Sequence, residues 1–314
     1  MEDNSKLIVQ VNHLKVYFKS FKAVNDISFH IHEGETYGIV GESGSGKSTT
    51  VRSILKLVET TDGEIYYKNK EISKMDNKSF QGLRKEIQMI FQDPLASLDP
   101  KKSIGDSIVE VLKIHKLYSP KERSYIAFEM LKKVGLSTEH YYKFPHQISG
   151  GQAQRVSIAR ALAINPSLLI CDEPVSALDV SIQAQIINLL LELKEKYKLT
   201  LIFIAHDLGV VRHISDRIGT MYLGNLVEEA PTDELFSNPL HPYTQLLLSS
   251  IPIPEPGCKR DKIILKEEGQ PVPDMDSGCI YRFKCHKYTE VCNYVNPELQ
   301  KVSEGHFVAC HLYA

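Results

Sequence analysis

Gly41-Glu-Ser-Gly-Ser-Gly-Lys47-Ser48 follows the apolar run Thr36 to Val40 and opens a helical stretch, Lys47 to Leu57. The pattern G-x-x-x-x-G-K-[ST] between a strand and a helix predicts a phosphate loop. Glycines let consecutive backbone N–H groups turn inward around phosphate oxygens, and the helix start adds the positive end of its dipole. Lys47 is expected to bridge the β- and γ-phosphates of a nucleotide and the Ser48 hydroxyl to ligate Mg²⁺. Gly41, Ser43, Gly44, Ser45, Gly46 and Thr49 complete the expected cradle.

Outward from this loop, short apolar runs alternate with helical patterns. Thr36 to Val40, Ile87 to Phe91, Leu168 to Cys171 and Leu201 to Ala205 read as buried strands, and Gln152 to Ala163 and Ile182 to Tyr197 read as helices. Buried parallel strands with crossover helices predict an α/β sheet covered on both faces. The N-terminal runs Leu7 to Phe18, Ala23 to Ile31 and Gly63 to Tyr67 read instead as antiparallel strands joined by turns. Residues 95–147 are mostly helical in pattern and predict an inserted helical subdomain, taken as about 95–160. Prolines 252, 254, 256, 271 and 273 argue against a helix or sheet between them. The expected organisation is a nucleotide-binding domain over 1–235, a proline-rich linker over 236–273 and a cysteine-bearing extension over 274–314.

Composition narrows the function. Subtracting 39 acidic from 37 basic residues leaves a net charge of −2, so no whole-chain basic field exists to hold nucleic acid by counterion release. The opening Met1-Glu2-Asp3-Asn4-Ser5 lacks the basic start and apolar stretch of a secretory signal, which predicts a cytoplasmic protein. Leu199 to Ala205 is far short of the roughly 20 residues that span a bilayer. A membrane role is therefore expected only through a partner.

Three further elements carry chemistry. Ser167-Leu-Leu-Ile-Cys-Asp172-Glu173 places two carboxylates at the C-terminal end of a buried strand, where ligands of open α/β sheets bind. Asp172 suits a Mg²⁺ ligand through water, and Glu173 a general base for the water that attacks the γ-phosphate. Cys171 on the same strand reads as a small core hydrophobe. Ser149-Gly150-Gly151-Gln152 begins the helix that follows, so its hydroxyl and N–H groups read as a second anion site, the plainer reading being a flexible turn with an N-cap.

These motifs, in this order, resemble the nucleotide-binding subunit of an ABC transporter. The resemblance covers residues 7–235 and includes Gln92 after its strand, the Ser149-to-Gln152 signature, Ser176-Ala-Leu-Asp179, and His206 after Leu201 to Ala205. Ile148 stands where the family commonly has Leu, a small apolar change. The resemblance implies the family's P-loop fold and two domains facing head to tail, each ATP lying between one chain's phosphate loop and the partner's signature. It further implies that Gln92 contacts Mg²⁺ and the attacking water, that Asp179 lies at the dimer interface, and that His206 holds the γ-phosphate. For the adenine platform, spacing back from Gly41 points to Phe18, with Tyr17 or Phe21 as alternatives. Phe91-Gln-Asp-Pro-Leu-Ala-Ser-Leu-Asp-Pro100, Phe144-Pro-His146, Asn238-Pro-Leu-His-Pro-Tyr-Thr244 and the tail around Gly278-Cys279 and Gly305 to His311 resemble the oligopeptide/dipeptide uptake branch. Within it, the second of two paired ATPases is the nearer match. The implied partners are a second ATPase subunit, expected to be a paralogue, two integral permeases, and indirectly an extracellular peptide-binding protein. That places the chain on the cytoplasmic face of the cell membrane.

Cys279, Cys285, Cys292 and Cys310 crowd the C-terminus. Their spacings match neither a zinc knuckle nor a ferredoxin, and leave a metal site and free thiols both open. The family resemblance favours a four-iron, four-sulfur cluster. His286, His306 and His311 are alternative ligands that more often read as solvated surface residues. Being distant in sequence, the tail is expected to leave nucleotide binding nearly unaffected. Competing readings are a soluble ABC-type ATPase acting on DNA or the ribosome, an importer of nickel or another small solute, and an ATP sensor with little turnover. The first lacks the second ATPase domain, coiled coil or basic patch it would need, and Glu173 with His206 argues against the last.

Overall fold

Thr36–Val40 is a strand buried at all five positions, and it feeds the helix Lys47–Ile54 through the glycine-rich loop. The computed structural model describes residues 6–250 and 277–314. They divide into two compact units, one holding Ile8–Ile31, Tyr37–Ser73 and the chain from Ala205 onward, the other built mainly on Lys74–Ile204.

In the first unit, Phe21–His32, Leu7–Phe18, Asp62–Tyr67 and Lys70–Glu71 lie side by side in that order. Leu7–Phe18 and Asp62–Tyr67 are antiparallel, with Val9 opposite Tyr67 and Val11 opposite Ile65. Val9 and Val11 are buried at odd positions, Leu14 and Val16 at even ones. The change of parity follows from a bulge between Asn12 and Lys15, where His13 has φ 50°.

The same unit contains a second set of strands. Thr36–Val40 runs parallel to Arg217–Tyr222, which turns back at Leu223-Gly224, both with positive φ, into antiparallel Asn225–Pro231. His306–Val308 pairs with Asn225–Pro231, and Gln300–Ser303 pairs with His306–Val308. The segment read as an extension thus adds two strands to this sheet. The helix Thr232–Ser237 runs into the stretch read as a linker and Pro242–Ser249 lies within it, while residues 251–273, with prolines 252, 254, 256, 271 and 273, lie outside the described residues.

In the second unit, Ile87–Ile90, Leu168–Asp172 and Thr200–Ala205 are parallel neighbours, with Ile87 opposite Leu168 and Cys171 opposite Phe203. The last two are buried at every position, as strands covered on both faces must be. The helical stretch after residue 95 comprises Ile104–Ile114, started by Ser103, and Pro120–Lys133, started by a Ser119–Glu122 capping box with proline at its first turn. Phe128 stacks on Tyr141 with ring centroids 4.1 Å apart, closing this helical layer. The molecule is a mixed α/β protein with parallel and antiparallel strands.

Candidate nucleotide site

The phosphate loop owes its path to two glycines. Gly41 has φ 151°, and a Cβ there would sit 2.2 Å from the Met221 carbonyl oxygen. Gly46 has φ 99°, and a Cβ would sit 2.3 Å from the Ala23 carbonyl oxygen. As the N-cap of Lys47–Ile54, Gly46 supplies no side chain to close the first helical turn, which suits an anion site. Lys47 is buried, and its Nζ donates to the carbonyl oxygens of Gly41 at 2.8 Å and Glu42 at 2.9 Å. That holds the ammonium over the loop, while Glu42, Ser43 and Gly44 are exposed. Ser45 is buried, and Ser48 and Thr49 are half-buried on the first helical turn.

The aromatic candidates separate by environment. Phe18 and Phe21 are 50% and 55% exposed, open to stack on a ring. Tyr17 is half-buried and its hydroxyl donates to Asn25 Oδ1 at 2.9 Å. His206 is exposed immediately after Thr200–Ala205, where Asp207 caps the next helix by accepting from the Gly209 N–H at 2.7 Å.

In the second unit, Asp172 ends its strand buried, and Glu173 follows in the left-handed region at φ 49°. For a side chain other than glycine this conformation is strained and must be held by its surroundings. Glu173 donates its N–H to the Ile204 carbonyl at 3.1 Å, and its own carbonyl accepts from the Ser176 hydroxyl at 3.1 Å. Its carboxylate, turned away from the strand, accepts a hydrogen bond from Gln92 Nε2 at 2.8 Å. Two residues 81 positions apart in sequence are thereby joined at the ends of adjacent strands.

Ser149 is exposed and forms a reciprocal capping box with Gln152 at the start of Gly150–Leu162. Its Oγ accepts from the Gln152 N–H at 3.3 Å, and Gln152 Oε1 accepts from the Ser149 N–H at 3.0 Å. Gly151 is needed for packing, since a Cβ there would lie 2.8 Å from Ile182 Cγ2. Asp179 is exposed at the N-cap of Val180–Tyr197 and makes no side-chain cap bond.

In the tail, Cys279, Cys285 and Cys292 are buried and Cys310 is half-buried. The first three share a cluster with Tyr222, Tyr243 and Tyr281. Burial, reinforced by the other three thiols, pushes the Cys279 thiol up to about 11, and burial raises Cys285 and Cys310 as well. Four sulfur donors suit a soft metal, and three of them lie in one core. Among the described residues, however, no three Cys, His, Asp or Glu side chains form a group that could hold a metal ion. The iron-sulfur centre expected from the resemblance thus finds no preformed ligand set.

Of the tail histidines, His286 is exposed and His311 half-buried, whereas His306 departs from the expected surface position. His306 is buried, with Nε2 2.9 Å from Glu228 Oε1 and Nδ1 3.4 Å from Glu234 Oε1. His311 Nε2 is 2.8 Å from the Val295 carbonyl oxygen. Cys171 is a fully buried strand residue whose thiol is pushed far up by burial, as a core hydrophobe should be.

One contact was not foreseen. Tyr243, fully buried, accepts a hydrogen bond from the Glu42 backbone N–H at 2.8 Å, within the phosphate loop. Asn238-to-Thr244 was legible only as a mark of the oligopeptide branch, and nothing in it pointed to the loop.

Residues 24–176 match the family model described as ABC transporter, and 227–292 the one described as oligopeptide/dipeptide transporter, C-terminal region. A dimeric post-hydrolysis ATP-binding cassette bound to ADP and Pi is 32% identical with a TM-score of 0.66, covering 72% of this chain and 99% of that one. CbiO1 from Clostridium perfringens, part of an ABC transporter complex, is 28% identical with a TM-score of 0.68, covering 74% and 92%. Fold and motifs together define the class as the ATP-binding cassette. The chain is 46% identical to the oligopeptide transport ATP-binding protein AppF of Bacillus subtilis over 99% of each chain. It is 48% identical to the oligopeptide transport ATP-binding protein OppF of Haemophilus influenzae, over 99% of this chain and 98% of that one. The chain belongs to the family of oligopeptide and dipeptide transport ATP-binding proteins.

Proposed function

We propose that this chain is the ATP-binding and ATP-hydrolysing subunit that energises an importer of di- and oligopeptides. The observation that carries the chemistry is the Glu173 carboxylate, held at a strand end by strained backbone and aimed by Gln92. In this reading Lys47 binds the triphosphate together with Gly41, Ser43, Gly44, Ser45, Gly46, Ser48 and Thr49, Phe18 stacks on adenine, and His206 holds the γ-phosphate. The Ser48 hydroxyl, the Asp172 carboxylate and the Gln92 amide are hard oxygen donors that suit Mg²⁺, which neutralises developing phosphate charge when bound. Glu173 accepts the proton of the attacking water, and Gln92 orients that water. Ser149, Gly150, Gly151 and Gln152 receive the γ-phosphate of the ATP held by a second ATPase subunit, a paralogue, with Asp179 at the contact between subunits.

No helix among the described residues is long and apolar enough to cross a membrane. The reading places the chain on the cytoplasmic face through two integral permeases, with the peptide delivered by an extracellular binding protein and never touching this chain. Nucleic acid has no part in it. ATP turnover and peptide uptake measured with and without Lys47→Ala test the proposal. Loss of both supports it, and uptake of peptides unaffected by the variant contradicts it.

For the tail, we infer a four-iron, four-sulfur cluster on Cys279, Cys285, Cys292 and Cys310. What supports this is the placing of Cys279, Cys285 and Cys292 in one core, with the Cys310 thiol near enough to Cys279 to act on it electrostatically. It requires those thiols to lose their protons and close up, so that binding also orders the tail. Anaerobic purification with iron and sulfide analysis tests it. Less than about a tenth of an equivalent of metal, with all four thiols reactive, contradicts it.

A further inference from the structure

The Tyr243 hydroxyl holds the backbone of the phosphate loop from behind. It accepts the Glu42 N–H at 2.8 Å, one residue after Gly41 and next to the carbonyls that fix Lys47 Nζ. A loop whose function is to aim backbone N–H groups is sensitive to a tilt of a single peptide plane. Tyr243 itself is held by aromatic neighbours. Its ring lies 4.7 Å from that of Tyr222 and 5.5 Å from that of Tyr281. Tyr281 comes from the cysteine-bearing tail, between Cys279 and Cys285, and all of these residues lie in the first unit.

We propose that Tyr243 is a positioning residue for the phosphate loop, and that the cysteine-bearing tail sets the loop's affinity for ATP by packing Tyr281 against it. The proposal rests on the reading of Gly41 to Ser48 as the ATP site. Nucleotide affinity then responds to whatever reorders the Cys279-to-Cys285 segment, although that segment contributes no atom to the nucleotide, so distance in sequence does not isolate the loop from the tail as the sequence alone implies.

The test uses the full chain and titration with a fluorescent ATP analogue. Tyr243→Phe keeps the ring and removes only the hydroxyl, so affinity should fall about 3- to 10-fold, as for loss of one well-placed hydrogen bond. Tyr313→Phe removes another tail hydroxyl, which donates to the Leu240 carbonyl at 3.2 Å, and serves as the structural control with unchanged affinity. Tyr281→Leu should weaken ATP binding by a similar factor, and the double variant should be no weaker than the worse single one. The proposal is overturned if Tyr243→Phe binds within twofold of the unsubstituted chain, if Tyr313→Phe weakens binding equally, or if the effects of Tyr243→Phe and Tyr281→Leu multiply independently. Lys47→Ala, titrated alongside, separates the role of the loop from that of Tyr243. Retained ATP binding in that variant strikes the loop assignment itself, whereas its loss beside an unaffected Tyr243→Phe strikes only the role given to Tyr243.

Discussion

His306 Nε2 lies 2.9 Å from Glu228 Oε1, with both side chains buried, and this pair fastens the tail strand His306–Val308 to Asn225–Pro231. Glu228 also accepts the backbone N–H groups of Leu240 at 2.7 Å and His241 at 3.0 Å. Burial by itself would lower the His306 pKa, but the hydrogen bonds and charges of Glu228 and Glu234 outweigh it and raise the pKa. A raised folded-state pKa stabilises the protonated form. Its contribution is complete below the unfolded value of about 6.5 and is lost as pH rises through the folded value. Hydrogen-exchange protection of the His306–Val308 strand, corrected for intrinsic rates, should therefore fall with rising pH above about 6.5. His306→Gln should flatten that dependence and cost about 3 kcal/mol, the low end for a broken buried pair, because Glu228 keeps its two backbone donors. Protection that rises with pH would contradict this assignment.

Gly44 and Gly46 of the phosphate loop differ in what they tolerate. Gly46→Ala places a Cβ against a backbone carbonyl at a left-handed φ, so ATP binding should weaken by more than about 100-fold. Gly44 also has positive φ, at 80°, but a Cβ there meets nothing within 4 Å. Gly44→Ala should cost only about 1–2 kcal/mol of backbone strain. Nucleotide titration and thermal melts of the pair provide the check, and equal effects would refute the steric account.

Ser149→Arg should leave ATP binding by the single chain intact while preventing the closed, ATP-bound pair of subunits, because a bulky cation replaces the hydroxyl at an exposed helix start. Ser149→Ala removes only the cap and should cost about 1 kcal/mol. Size-exclusion chromatography with ATP and the partner subunit distinguishes them. A normal ATP-dependent pair with Ser149→Arg would mean that the signature does not meet nucleotide across the interface.

Much of the candidate site's local geometry is legible in the sequence because its motifs are local. The loop, the acidic strand end and the Ser-Gly-Gly helix start each sit on an apolar run or a helical pattern that fixes their surroundings. The predicted helix Lys47 to Leu57 ends early, at Ile54, because Lys56 adopts φ 52°. The strand Asn225–Pro231 escaped notice for a different reason. Glu228 and Glu229 interrupt its pattern like surface residues, yet both are buried. Their partners come from far along the chain: His306 for Glu228, and for Glu229 the Tyr37 hydroxyl at 2.9 Å. The Tyr243–Glu42 bond escaped for the same reason, since its partners are 201 positions apart.

If Glu173 is the base of ATP hydrolysis, Glu173→Gln should expose it, because the variant keeps the size and hydrogen bonding of the side chain while removing its basicity. ATP hydrolysis measured under single-turnover conditions should fall by about 100-fold or more while ATP affinity stays within a few-fold of the unsubstituted chain. Hydrolysis at the unsubstituted rate would contradict the account.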